Sequence, residues 1–332
     1  MKRKNKGFTL VELLAVIVIL ALIALIATPI ILNVINDAKK QAAKDSAYGY
    51  MDAVEKYIVS SELKDKSIKD RAYSVEELNS MGVSVKGSIP DNGNIEIKEG
   101  AVKNYNLGID GYYITKDEVK KVSTTKKIKN GTAVYYNPVS GEKCKSSEAN
   151  STTETKSGCM KWYVFNDKEG NATVNVILDH NTTARVAWNS AGNNSEMKDV
   201  KIKLEEDTKD WKNTARLITA NEVAKITGNT DWDASKTRQD WFYLDSNNQT
   251  KTANASNKSK YAWLFDYTGG CTKNGCNTPD SSTWGYWTST SYKDNSIYAW
   301  HVGRGGFLNF SNVTDAVYGV RPVITISKSN IS

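Results

Sequence analysis

The hydrophobic pattern divides the chain into three stretches. From Leu13 to Leu32 there are 20 residues without a charge, apolar on every face, so this is not an amphipathic surface helix. At ~1.5 Å per residue it matches the ~30 Å hydrocarbon core of a bilayer. From Asn33 the pattern turns amphipathic. Val34, Ile35, Ala38, Ala42, Tyr50, Ala53, Val54, Tyr57 and Ile58 recur at three- and four-residue steps. One helix from Phe8 to about Ser60 is predicted, ~80 Å long. Residues 61–128 are polar and Lys-rich. SVEELNSMGVSVKG predicts a short helix with a Ser74–Glu77 capping box, stopped at Gly82 and followed by a strand. IPDNGNIEIKEGAVKNYNLGIDGYYITKDEV predicts short strands joined by Asn/Gly turns.

Beyond the charged boundary KKVSTTKKIKNG the runs become β-type: GTAVYYNP, KWYVFND, ATVNVILDHNTTARVAW and YGVRPVITIS each read as a strand. WKNTARLITANEVAKITGN reads as a helix with Leu217, Val223, Ala224 and Ile226 on its core side. SSTWGYWTSTS and NSIYAWHVGRGGFLNFSN suggest a meander. The expected class is α+β: a long N-terminal helix carrying a small α+β head, then a Trp-rich, β-dominated unit from 129 to 332.

Composition sharpens this division. The 332 residues are 39% hydrophobic and 24% charged, with a mean hydropathy of −0.51, which excludes a polytopic membrane protein. Aromatic content of 10% argues against disorder. All Trp residues lie between Trp162 and Trp300. Of the net charge of +7, four units come from Lys2, Arg3, Lys4 and Lys6. Those cations hold the N-terminus in the cytoplasm and direct the remainder outside. A secretory signal would have a shorter apolar run and a small-x-small boundary; a plain signal anchor fits the hydropathy as well. Glu12 argues against a plain anchor, because a carboxylate near the bilayer centre costs ~2–3 kcal/mol.

The string KGFTLVELLAVIVILALIALIATP resembles the prepilin leader and N-terminal helix of type IV pilins and of type II secretion pseudopilins. The resemblance covers about residues 1–40. It implies a leader at 1–7 and a prepilin peptidase that cleaves between Gly7 and Phe8 and N-methylates Phe8. It implies polymerisation with other pilin subunits through an N-terminal helix (8–60) whose 8–32 part first lies in the membrane. Glu12 would then pair with the Phe8 ammonium of a neighbouring subunit in a dry filament core, where an unpaired charge is costly. Pro29 also fits the family and loosens the turn before it. Residues 61–128 resemble the heads of pilins from Gram-positive bacteria. Loss of residues 1–7 takes the net charge from +7 to +3, since the leader holds four cations and no acid.

In the Trp-rich unit, RLITANE (Arg216–Glu222), YWTSTS with Trp287, and YGVRPV (Tyr318–Val323) together resemble C-type-lectin-like domains, in the branch that contains formylglycine-generating-enzyme-like proteins. Those enzymes use paired cysteines near the C-terminus. Here the last cysteine is Cys276, so an enzyme is not expected. The calcium-ligand triplets of sugar-binding lectins are missing too, and Asp231 and Asp233 read as surface turn residues. Trp287, Tyr298 and Trp300 read as core aromatics in preference to a ligand groove. Arg321 is expected to form a structural ion pair under the last strand.

An outward-facing unit permits disulfides. The pairs Cys144–Cys159 and Cys271–Cys276 are expected, out of three pairings; zinc spacing is poor. His180 and His301 read as structural. No cofactor fingerprint, metal motif or nucleic-acid stripe occurs. The expected role is a structural pilus or pseudopilus subunit in the cell membrane and then in an extracellular filament. The alternative is an adhesin that presents a surface ligand or glycan site on that filament.

Overall fold

A computed structural model describes residues 9–64, 68–123, 126–149, 154–228, 232, 260–264, 283–303 and 306–331. It opens with one helix, α1, spanning Leu10–Glu62. The helix begins later than Phe8 because Thr9 is its N-cap. Thr9 Oγ1 accepts from the Glu12 amide at 3.2 Å, and Glu12 Oε2 accepts from the Thr9 amide at 2.8 Å. This reciprocal box satisfies two donors that a helix start leaves open.

The far half of α1 buries Ala43, Ala47, Tyr50, Met51, Val54, Ile58 and Ser61. It lies on a sheet of five antiparallel strands: β1 (Arg71–Ser74), β2 (Asn92–Lys98), β3 (Ala101–Ile109), β4 (Tyr112–Thr115) and β5 (Val119–Lys121), in that spatial order. The β2–β3 and β3–β4 hairpins turn on Glu99–Gly100 and Asp110–Gly111. All four residues have positive φ, the two-residue turn that matches strand twist. A short helix, α2 (Val75–Met81), follows β1 and ends at Gly82 with φ +109. The strand expected after Gly82 does not form: Val83 is buried, but its amide closes the helix by donating to the Leu78 carbonyl.

The remaining strands make two further sheets. One has the order β11-β16-β9-β8-β6-β7, built from β6 (Ala133–Asn137), β7 (Glu142–Lys143), β8 (Met160–Phe165), β9 (Thr173–Leu178), β11 (Arg216–Leu217) and β16 (Pro322–Ser327). The other has the order β10-β15-β12-β13-β14, built from β10 (Thr183–Val186), β12 (Gly285–Ser291), β13 (Tyr298–Gly303), β14 (Phe307–Asn312) and β15 (Tyr318–Val320). Helices α3 (Glu154–Ser157), α4 (Lys198–Thr208) and α5 (Ala220–Ile226) complete the described α-helices.

Three long apolar runs break where the sequence pattern is continuous. ATVNVILDHNTTARVAW splits into β9 and β10, which belong to different sheets, across the buried polar residues Asp179–Thr182. YGVRPVITIS splits at Arg321 into β15 and β16. The helix read into WKNTARLITANEVAKITGN shrinks to α5, because Arg216–Leu217 pairs with β16 as β11 and Thr219 caps the helix behind it.

The head sheet is buried on both faces. Ile95, Ile97, Tyr105, Leu107, Ile109, Tyr112 and Ile114 share a core with α1. The alternate residues Asn94 and Asn106 are also buried, but against the C-terminal unit. Asn94 Oδ1 accepts from Arg216 Nε at 2.7 Å, Asn106 Oδ1 accepts from the Thr214 amide at 2.8 Å, and Asn213 Nδ2 donates to Tyr113 Oη at 3.2 Å. Gly108 faces Thr173 so closely that an added Cβ would lie 2.5 Å from its Oγ1. A period-2 pattern that resembles a solvent face is therefore a polar interface.

One local unit occurs twice. Arg71 binds the Glu77 carboxylate with both guanidinium nitrogens and donates to the Ala72 carbonyl at 3.1 Å. Arg216 binds Glu222 at 2.7 and 2.6 Å and donates to the Leu217 carbonyl at 3.1 Å. In each case R-x-x-[ST]-x-x-E joins a strand to a capped helix. Ser74 caps α2, accepting from the Glu77 amide at 3.1 Å, but the expected reciprocal box does not close there, whereas Glu222 binds Arg216 and also accepts from the Thr219 amide at 2.9 Å. Lys225 of α5 pairs with Glu76 of α2 across the two units.

Two outcomes follow. Arg216→Met leaves the buried Glu222 carboxylate without its partner and should destabilise the full chain by about 3–5 kcal/mol. The double variant Arg216→Met/Glu222→Leu should recover much of that loss in urea melts. Glu96 is held above the usual carboxylate range, first by burial and then by Glu205. Its charge therefore weighs against the folded state at neutral pH. Glu96→Gln should raise the thermal midpoint at pH 7. That gain should fade as pH drops through the folded value and vanish below the ordinary value of 4.5.

Candidate assembly site

The first half of α1 is a bare apolar rod. Leu10 is 80% exposed, Leu25 73% and Ile35 still 43%, whereas Ala43 is 1% exposed. The transition to the head is marked at Asn36, whose carbonyl accepts from Tyr112 Oη at 3.4 Å and whose side chain accepts from Lys121 Nζ at 3.3 Å. Val34 and Ile35 continue the amphipathic pattern but remain on the exposed side of this boundary. Beyond it, Tyr50 Oη donates to Asn79 Oδ1 at 2.7 Å and Tyr57 Oη donates to the Met81 carbonyl at 2.6 Å, clamping α1 to α2.

Glu12 sits at the open end of the rod, and within this one chain its partner is Thr9, whose hydroxyl also donates to it at 2.8 Å. Pro29 lies inside α1 and removes the bond that residue 29 would make to the Leu25 carbonyl. One residue earlier, Thr28 Oγ1 donates to the Ala24 carbonyl at 2.6 Å, a second local competitor for the helical ladder. Thr9 was not singled out from the sequence; the signal was there as T-x-x-E ahead of an apolar run. Gly7 and Phe8 lie outside the described residues.

Cys144 and Cys159 form a disulfide, with Cα atoms 5.9 Å apart. Cys271 and Cys276 lie outside the described residues, as do Asp231 and Asp233. Trp287 and Trp300 are fully buried and fill the core, while Tyr298 is half-buried against Tyr292 and Phe310. His180 is buried with Nδ1 against Asp179, and His301 is buried with Nε2 3.1 Å from Ser311 Oγ. Among the described residues Arg321 forms no ion pair under the last strand. Its guanidinium donates to the carbonyls of Leu178, Trp263 and Leu264 at 2.6–2.7 Å and lies over the Tyr286 ring. The arginine beside it pushes down on the Tyr286 hydroxyl, but burial wins and lifts that hydroxyl to about 12. Among the described residues no group of three His, Cys, Asp or Glu could hold a metal ion.

Residues 2–28 match the family model of the prokaryotic N-terminal methylation motif. The motif and the apolar helix support a type IV pilin-like protein. It marks a structural family and not a catalytic one, which fits a non-enzyme. It also implies processing by a prepilin peptidase and polymerisation with pilin subunits. α1 is long and apolar enough to cross a membrane. No curated protein and no solved structure matches the chain.

The disulfide closes a 15-residue separation, a loop for which cross-linking is worth about 3 kcal/mol in the chain-entropy model. Cys144→Ser/Cys159→Ser should lower the urea midpoint correspondingly, with the secondary structure seen by circular dichroism unchanged.

Proposed function

We propose that the protein is a structural subunit of a type IV pilus or pseudopilus, cleaved after Gly7, N-methylated at Phe8 and polymerised through the apolar half of α1. The observation that carries this reading is continuity. The methylation motif at residues 2–28 leads without a break into a 53-residue helix, exposed and apolar at one end and part of the head core at the other. Before assembly the rod lies in the membrane, with the basic leader in the cytoplasm. After assembly it packs against the rods of neighbouring subunits.

Glu12 supports the pairing role. On cleavage Phe8 becomes a cation beside the Thr9 cap, and in a lipid or helix-packed core a carboxylate without a counter-charge is costly. The ammonium of an adjacent subunit supplies that charge and sets the axial register between helices.

A second reading adds to the first. The unit beyond residue 129 has its own apolar cores and exceeds what polymerisation requires, so it serves as a displayed ligand-binding module. Its lectin-like reading is supported by the pairing of β9 with the last strand β16, with α4, α5 and the second sheet inserted between them.

Mass spectrometry of protein from cells with an active prepilin peptidase should show a chain beginning at Phe8 with one added methyl group. An intact Met1 terminus would overturn the processing. Glu12→Ala should reduce sheared filament yield severely while the head keeps its thermal midpoint. Normal yield would count against the pairing.

A further inference from the structure

A cleft of about 1040 Å³ opens where the head, the 127–132 connector and the C-terminal unit meet. Among the described residues that line it, the charge is one-sided. Glu76 is paired with Lys225, and Asp167 with Lys328 at 3.0 Å. Among the described ion pairs, none engages the remaining lining cations Lys127, Lys129, Lys168 and Lys260.

The aromatic wall is held from below. Buried Arg321 donates to the Trp263 and Leu264 carbonyls, which fixes the 3-10 turn Ala262–Leu264. The Trp263 indole then packs on Gly131, whose φ is +82 and where a Cβ would lie 2.6 Å from Nε1. It also leans on Tyr163 at a centroid distance of 5.9 Å. Tyr261 is buried beside it. Tyr261 is buried with the Lys260 ammonium 4.9 Å from its ring centroid, and Trp263 is half-buried against Gly131 and Tyr163, so neither ring is the freely exposed platform on which nucleic-acid bases stack. Polar groups stand opposite. Asn166 adopts a left-handed conformation with φ +50, and its side-chain Nδ2 has no hydrogen-bond partner among the described residues. Asn130 uses only its Oδ1, accepting from the Asn166 amide at 2.9 Å.

We propose that this cleft binds an acidic polysaccharide, its carboxylates held by Lys127, Lys129, Lys168 and Lys260 and its hydroxyls by Asn130 and Asn166. The proposal rests on the displayed-module reading, which puts the cleft outside the cell. Point cations on flexible stems suit spaced carboxylates on a chain.

The test uses the full-length protein in detergent micelles, titrated calorimetrically with polygalacturonate fragments, with neutral dextran, and with a single-stranded oligonucleotide. Polygalacturonate should bind, more weakly as salt rises, and dextran should not. Lys127→Glu/Lys129→Glu should weaken binding about tenfold or more with an unchanged thermal midpoint, and Lys168→Gln should weaken it less. Lys86→Glu/Lys98→Glu makes the same charge change elsewhere on the head and should leave binding intact. No binding, equal binding of dextran, equal loss in the control variant, or a tighter oligonucleotide would each overturn the proposal. None of these outcomes depends on N-terminal processing or filament assembly, so a failure here leaves the pilin reading standing.

Discussion

The constraint on which the rest of the molecule depends is that the first half of α1 cannot stay in water. Each exposed Leu or Ile forgoes about 1.5–3 kcal/mol of burial, and the rod carries more than a dozen of them. It cannot cover itself, because a straight helix has no second layer. The head does not fold back over it: the hydrophobic core starts only at Ala43. The rod must therefore be covered by lipid or by other helices, and the chain beyond it must be stable without help from it.

That independence comes from how the head sheet is used. One face takes the amphipathic half of α1 and the other takes the C-terminal unit, so no face of the sheet is left to find a partner. The second contact is polar, with Asn94, Asn106 and Tyr113 each hydrogen-bonded across it. Arg216 is its centre, donating to Glu222, to its own strand and to Asn94 of the head at once. The same Arg–Glu arrangement at Arg71 and Glu77 braces the equivalent strand-to-helix corner in the head. Two corners with one design face each other, and Lys225 and Glu76 bridge their helices.

Much of this was legible in the sequence, for identifiable reasons. Leu13–Leu32 has one reading because only a helix satisfies its backbone in an apolar setting. The β2–β4 hairpins were legible from alternation and Gly-containing turns. Trp287 and Trp300 were read as core, and they are. What was not legible depends on partners distant in sequence. Asn94 and Asn106 look like solvent-facing positions until Thr214 and Arg216 cover them. The break at Arg321 looks like a continuing strand until the Leu178, Trp263 and Leu264 carbonyls claim its guanidinium. The strand expected after Gly82 failed because the Val83 amide was already committed to closing α2. At the assembly end the T-x-x-E cap was readable, but Glu12 drew attention as a lone acid in an apolar run and not as one half of a cap.

The polar contact between the two units also has a mechanical side. In the proposed filament, tension applied at the outer surface would travel inward to the packed rods. In this chain the path runs from β11 and β16 through the hydrogen bonds of Arg216, Thr214 and Asn213 into β2, β3 and β4, and from there into α1. Those bonds are short-ranged and directional, and several must break together before the units separate. Apolar contacts slide under load; a set of paired polar groups holds its register until it fails as a group. In the proposed filament the buried asparagines of the head sheet would thus be the coupling through which an external pull reaches the core of the fibre.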